Sequence, residues 1–249
     1  SENATKIGFD ACRNKSIKDA KGDWIFWIDD DEEITNVPNL YKYLRPNIFN
    51  GYSIKQHHFT TDPVGSFKID LPIRLFRNHI GIKFYGYVHE HPEFKINDGV
   101  GASSILGDVD IAHDGYFTET GRKARFQRNI DLMLKDREIN PTRNLGKFLM
   151  IRDWVHLARY EMEQKGGVTP QAQTYLRKAV KEFRDEFLHA EEGSPKIFYL
   201  DEGLGFYSEA LHTLGLGLEY RTFIDIAPDK TKSQGKEVVA RFESNQDYL

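Results

Sequence analysis

The hydrophobic period of the chain changes about halfway along it. Up to Tyr116 short apolar runs and alternating stretches dominate, whereas from Gly121 onward apolar residues recur every three or four positions. In the first part, Ile7 to Lys21 places Phe9, Cys12, Ile17 and Ala20 at helical spacing, with Gly22 as a stop. The unbroken run Trp24-Ile25-Phe26-Trp27-Ile28 predicts a buried strand. Pro38 to Pro46, with Leu40, Tyr41, Tyr43 and Leu44, predicts a short helix closed by a proline. Gly51 to Phe59 alternates like a half-buried strand, which sends His57 and His58 to opposite faces and makes a shared ion difficult. Asp70 to Asn78 and Ile82 to Pro92 predict two strands joined by a turn at Asn78 to Gly81. In the second of these, His89 and His91 would share one face and Glu90 the other. Gly99 to Gly107 reads as a loop able to move over a ligand, and Asp108 to Tyr116 as a short strand.

The second part predicts helices. Arg122 to Asn140 carries Phe126, Ile130, Leu134 and Ile139 before Pro141, and Leu145 to Gln164 carries Phe148, Ile151, Val155, Leu157 and Tyr160 before Gly166-Gly167. Thr169-Pro170 pairs an N-cap residue with proline at the first helical position and opens a helix through about Glu186. Ser194-Pro195 repeats the signal ahead of Phe198, Leu204, Tyr207, Ala210, Leu211 and Leu214. The expected organisation is an α/β region over residues 1–120, a mixed sheet with flanking helices, followed by an all-α region over 121–249. The consecutive helices resemble a tetratricopeptide-like array, without a clean 34-residue repeat; a plain helical bundle is the alternative. Such a region can bind a protein partner.

Composition narrows the function. A chain of 249 residues with 39% hydrophobic residues can build a core, and a formal net charge of -4 argues against non-specific binding to nucleic acid or anionic membrane as the main activity. Its one cysteine, Cys12, excludes an internal disulfide framework and a cysteine-rich zinc site, and suits a reducing compartment. No apolar run reaches membrane-spanning length, so a cytoplasmic protein with no transmembrane segment is expected. The start, Ser1-Glu2-Asn3-Ala4, is not a signal peptide and lacks an initiator methionine, as in a processed, tagged or excised chain.

The candidate chemistry lies where the apolar run ends. Asp29, Asp30 and Asp31, followed by Glu32 and Glu33, repel one another unless a cation or strong donors neutralise them. A solvated acidic turn is the plainer reading. Arg13, on the preceding helix, could reach a phosphate or these carboxylates. His89 and His91 form a His-x-His pair with no third or fourth ligand nearby in sequence, which makes a zinc site a weak reading.

Three motifs then carry a family resemblance. Ala11-Cys12-Arg13-Asn14 with Ala20-Lys21-Gly22-Asp23-Trp24-Ile25 and Asp29-Asp30-Asp31-Glu32 resembles the "ARN … A-G-D-W-I … D-x-D-E" region of family 2 glycosyltransferases with the GT-A fold. Arg74-Leu75-Phe76-Arg77-Asn78 followed by Phe84-Tyr85-Gly86-Tyr87-Val88-His89-Glu90 is similar to "RLFRN … F-x-G-x-V-H-E", and Ile111-Ala112-His113-Asp114-Gly115-Tyr116 to the closing "I-x-H-x-G-Y". The resemblance spans roughly residues 7 to 140. It implies a metal-dependent, inverting transfer of a sugar from a nucleotide-diphosphate sugar. Asp29, Asp31 and His113 would hold Mn²⁺ or Mg²⁺; Arg13, Asn14, Asp29 and Asp30 would contact the donor; Glu90 would be the catalytic base. The acceptor could be a glycan, a peptide, a lipid or a modified nucleic-acid base. Such domains begin with a nucleotide-binding strand-helix-strand half, and six residues precede Ile7 here. The resemblance therefore implies a fragment, a half supplied by another chain, or a degenerate relative, and the rival from another class is a non-catalytic adaptor that binds a protein through its helices.

Overall fold

Trp24, Ile25, Phe26 and Trp27 turn alternately to opposite faces of one sheet, and both faces are apolar, which is why the run carries no polar alternation. The computed structural model of the chain describes residues 2–44, 49–58, 68–93, 103–113, 122–191 and 193–217. The chain divides after Arg122 into two units, each taken by itself below.

In unit 1, helices α1 (Glu2–Ile7) and α2 (Phe9–Asp19) precede strands β1 (Trp24–Phe26) and β2 (Glu32–Thr35). A short helix α3 (Val37–Leu40) and a 3₁₀ turn lead to β3 (Gly51–His58), β4 (Lys68–Asp70), β5 (Ile73–Arg77), β6 (Lys83–Tyr85), β7 (His91–Glu93) and β8 (Ser103–His113). The main sheet is mixed, in the order β1-β5-β3-β8-β2; β3 and β8 run parallel and the other pairs antiparallel. β4 continues the β5 side of β3 beyond Leu71-Pro72, where Ile54 N–H donates to Pro72 O at 3.1 Å. One face packs Tyr52, Ile54, Leu75, Leu106, Val109 and Ile111 with Trp24 and Phe26; the other packs Phe76, Ile82 and Phe84 with Ile25 and Trp27.

Several expectations need correction. The single helix over 7–21 is two helices broken at Gly8, and it ends at Asp19 with Ala20 as the capping residue, ahead of Gly22. Gly8 adopts φ 96°, and a Cβ there would lie 2.6 Å from Asp10 Oδ1 and 3.0 Å from Tyr87 Cδ2. β1 is three residues long and lies at the sheet edge. The two strands expected over 70–92 form as β5 and β6 with a turn from Asn78, but the second is shorter than read and the two do not pair: β5 belongs to the main sheet, while β6 pairs with β7 in a separate two-stranded sheet. Residues 86–90 are bends, with His89 at φ 52°, so the alternation expected of His89, Glu90 and His91 does not apply. Ser103 to Gly107, read as loop, open β8; residues 99–102 and 114–116 lie outside the described residues.

In unit 2, α4 (Arg122–Ile139), α5 (Asn144–Lys165), α6 (Pro170–Glu186) and α7 (Lys196–Thr213) follow the sequence periods closely. α5 is buried nearly all round from Phe148 to Ala158, while α6 buries the stripe Ala172, Leu176, Ala179, Val180 and Phe183. Thr169 caps α6, its hydroxyl accepting from Ala172 N–H at 3.1 Å. No helix among the described residues is long and apolar enough to cross a membrane.

Candidate functional site

Two irregularities in the main sheet assemble the site. Along β5 and β3 the register passes from Tyr52↔Leu75 to Ser53↔Ile73, which leaves Arg74 as the additional residue and re-aims its side chain. Along β3 and β8 the pairing passes from Ser53↔Ile105 to Lys55↔Asp110, so β8 gains three residues and His58 stands beside His113 instead of Asp110. β2 adds Glu32 on the other side of His113.

Glu32 is the centre of the acidic turn. Its side chain is fully buried, a placement that would be prohibitive for an unpaired carboxylate. Oε1 accepts from Arg74 Nη2 at 2.5 Å and from Gln56 Nε2, and Oε2 accepts from the Asp29 backbone N–H at 2.8 Å. The turn thus closes on its own fourth residue. Asp29 Oδ1 accepts from Arg13 Nη2 at 2.8 Å, and Oδ2 faces Arg74 Nη1 at 3.6 Å, so both oxygens look toward guanidinium groups. Arg13 Nε donates to Glu90, whose side chain is nearly buried. The result is a ladder of alternating charge, Glu32, Arg74, Asp29, Arg13, Glu90.

The indole of Trp27 supports this ladder. Its Nε1 donates to Ile73 O at 2.8 Å, and the guanidinium carbons of Arg74 and Arg13 stand 3.7 and 4.1 Å from its centroid. Burial works against the Arg13 charge, yet Glu90 and Asp29 outweigh it and hold its pKa above the ordinary value. For Arg74 burial prevails over Glu32 and Asp29, and the pKa falls below the ordinary arginine value. Asn14 spends both ends of its amide on the backbone of Phe84, donating from Nδ2 and accepting at Oδ1, each at 2.8 Å; it docks α2 onto β6.

Asp31 belongs to a second group. Its Oδ2 lies 3.2 Å from His113 Nε2, on the exposed side of the turn, and Asp30 is exposed at the tip. The structure therefore brings Asp29, Arg13 and Glu90 together, joins Asp31 to His113, and leaves Asp30 on the surface and Asn14 in a packing contact. Sequence reasoning missed Glu32 and Arg74 as organising residues. A charged residue between Ile73 and Leu75-Phe76 was the available signal, since a buried strand keeps a charge only where a partner meets it.

Neighbouring ligands of an octahedral Mg²⁺ or Mn²⁺ lie about 3 Å apart, given bonds of about 2.1 Å. The 3.2 Å between Asp31 Oδ2 and His113 Nε2 fits that spacing, and a carboxylate with an imidazole suits either ion. Among the described residues no three His, Cys, Asp or Glu side chains gather into a metal-binding group. Two protein ligands, with phosphate oxygens and water in the remaining positions, is an ordinary arrangement for these ions.

The likeness of the chain to known proteins is to glycosyltransferases. It is 28% identical over 187 residues to the SPbeta prophage-derived glycosyltransferase SunS of Bacillus subtilis (strain 168), and equally to the glycosyltransferase SunS of Bacillus phage SPbeta. Each alignment covers 73% of this chain and 42% of the relative, so the chain spans about two fifths of the length of the curated relatives it matches. No protein-family model matches.

Proposed function

We propose that this chain carries the ion- and acceptor-side portion of a metal-dependent, inverting glycosyltransferase of the GT-A kind, using a nucleotide-diphosphate sugar. The observation that carries the reading is the Asp31–His113 pair at the exposed edge of an acidic turn whose neighbour, Asp29, shares Arg13 with Glu90. Similarity to the two glycosyltransferases supports the reaction class.

In this reading Asp31 and His113 hold Mn²⁺ or Mg²⁺, which when bound neutralises charge on the leaving diphosphate. Asp29 fixes Arg13, whose Nη1 is not used in the pairs with Asp29 and Glu90 and is the group that assists the diphosphate. Glu90 takes the proton of the acceptor hydroxyl or thiol; the acceptor bonds to the anomeric carbon as the bond from that carbon to the diphosphate breaks, its electron pair leaving with the diphosphate. Asp30, at the tip, faces the donor, and the helical unit holds the acceptor or a protein partner. Calorimetric titration of Mn²⁺ into the protein, with and without uridine diphosphate, tests the reading. Tighter binding with the nucleotide is expected, since each supplies ligands the other lacks; equal affinity counts against it.

One observation favours a second reading. Asp29 and Glu90 are both neutralised by Arg13, as a non-catalytic scaffold would also require. Glu90→Gln separates the two, as argued in the Discussion.

A further inference from the structure

A chain of four side chains runs through the second group. Asp70 Oδ2 lies 2.9 Å from His58 Nε2, His58 Nδ1 lies 2.7 Å from His113 Nδ1, and His113 Nε2 lies 3.2 Å from Asp31 Oδ2. The two rings meet edge to face, with centroids 4.8 Å apart and planes at 87°. His58 is buried, whereas Asp70 and Asp31 are both partly open to solvent. Each link is made by a strand pairing: β4 places Asp70 opposite Gln56, two residues from His58, and the three-residue gain in β8 places His113 opposite His58.

For two neutral rings the bonding pattern sets the tautomers. A carboxylate only accepts, so His58 turns its Nε2–H to Asp70 and keeps a lone pair on Nδ1. Two ring nitrogens at 2.7 Å need one donor and one acceptor, so His113 carries its hydrogen on Nδ1 and donates it to His58. Neutral His113 is then left with a lone pair on Nε2, directed at the Asp31 carboxylate. Two acceptors facing each other are reconciled by a proton on Nε2 or by a metal cation between them, and the titration below separates the two. Metal-bound histidines ordinarily donate their second ring N–H to such a partner, and that bond fixes both ring orientation and tautomer.

We propose that His58 and Asp70 are positioning residues that hold His113 as the Nδ1–H tautomer, with Nε2 presented beside Asp31 for a divalent cation. The inference rests on the metal reading above and extends it to two residues that no sequence motif joins to Asp31. Asp70→Asn is the informative variant, because its position is partly open to solvent and an amide, which can accept or donate, no longer obliges His58 Nε2 to be the donor. The tautomer is then no longer fixed: where the amide donates, the relay reverses, His113 Nδ1 becomes the acceptor, and an N–H turns toward Asp31 in place of the lone pair.

The experiment is Mn²⁺ titration of the full chain followed by electron paramagnetic resonance, on wild type, Asp31→Asn, Asp70→Asn and His58→Gln, with melting temperatures of the ion-free proteins alongside. The expected result is loss of binding in Asp31→Asn and affinities about 10- to 100-fold weaker in Asp70→Asn and His58→Gln, with the Asp70→Asn melting temperature unchanged. Asp31→Asn binding Mn²⁺ like wild type overturns the metal reading and this inference with it. Loss in Asp31→Asn with wild-type affinity in Asp70→Asn overturns this inference alone. ¹⁵N chemical shifts of the ring nitrogens with Mg²⁺ bound give a second readout: His58 as Nε2–H and His113 as Nδ1–H are expected, and the reverse assignment overturns the relay whether or not a variant folds.

Discussion

Each unit of the molecule holds a fully buried carboxylate, and the two are treated differently. Glu32, in the acidic turn, receives donors on both oxygens: Arg74 and Gln56 at Oε1 and the Asp29 N–H at Oε2. Asp153, in the middle of α5, is equally buried; Oδ1 meets Arg152 Nε at 2.9 Å, but Oδ2 has no hydrogen-bond partner among the described residues. The first arrangement fixes a backbone turn and through it the directions of Asp29 and Asp31. The second holds Arg152 beside it on α5 and reaches Asn129 on α4, but one of its oxygens stays unpaired and no turn closes on it. A fully satisfied buried charge specifies geometry, whereas a half-satisfied one mainly costs stability.

The comparison breaks most visibly at Arg74. Arg74→Met removes the cation and leaves Glu32 buried with two neutral donors, so unit 1 should lose about 3–5 kcal/mol, the usual penalty for stripping one partner from a buried pair. Chemical unfolding followed by hydrogen exchange at the β3 and β5 amides measures this. Replacing both partners, Arg74→Met with Glu32→Leu, should recover much of the loss while the acidic turn loses its shape. A double variant no more stable than the single one would show that the ladder matters through packing on Trp27 instead of through charge.

Glu90 comes next, a third carboxylate of low exposure that shares Arg13 with Asp29. Glu90→Gln keeps the shape and removes the basicity, so on the proposed function sugar transfer should fall by roughly 10²-fold, the size of a general-base contribution, while donor binding persists. Unchanged turnover would assign the whole ladder to the scaffold.

In the helical unit the sharper test is steric. A Cβ on Gly203 would lie 2.6 Å from Phe183 Cε2, and that ring is stacked on Tyr207 with centroids 4.5 Å apart, so it has little room to give. Overpacking of this kind costs about 1–3 kcal/mol, and the better helix propensity of alanine returns about 1 kcal/mol. Gly203→Ala should therefore lower the unit's stability by up to about 2 kcal/mol in thermal unfolding, net of those terms. An unchanged melting temperature would mean that the α6–α7 contact relaxes freely.

These tests fall unevenly because the two units were unevenly legible. Unit 2 follows local rules: the Thr169-Pro170 signal opens α6 as read, and its buried stripe has the helical period. In unit 1 the apolar run, the acidic turn and the β3 alternation were visible, and so was the mixed sheet. The register shifts that re-aim Arg74 and align His58 with His113 were not, because they depend on how distant strands slide past one another and leave no residue pattern of their own. The same limit hid the break at residues 86–90. His89 takes a left-handed backbone, and the following Glu90 meets Arg13 instead of alternating along a strand.

The smallest effect concerns Asp153 and is a matter of slope. Burial is the largest influence on its carboxyl and raises the pKa above the usual carboxylate range, with Arg152, Asn129 and Arg125 opposing only in part. A group whose folded pKa exceeds its unfolded value binds its proton more tightly in the native state, so its contribution is fully present below the unfolded value of about 3.9 and is lost as pH rises through the folded value. Asp153→Asn cannot titrate, and Arg152 can still donate to its Oδ1. Measured by urea unfolding at a series of pH values from about 3 upward, wild type should therefore lose stability relative to Asp153→Asn as the carboxyl ionises, while shifts from all other groups cancel in the difference. Glu32 carries no comparable strain, with donors on both oxygens. A difference between wild type and Asp153→Asn that stays constant with pH would mean that Oδ2 finds a donor or water in solution, and the contrast between the two buried carboxylates would then disappear.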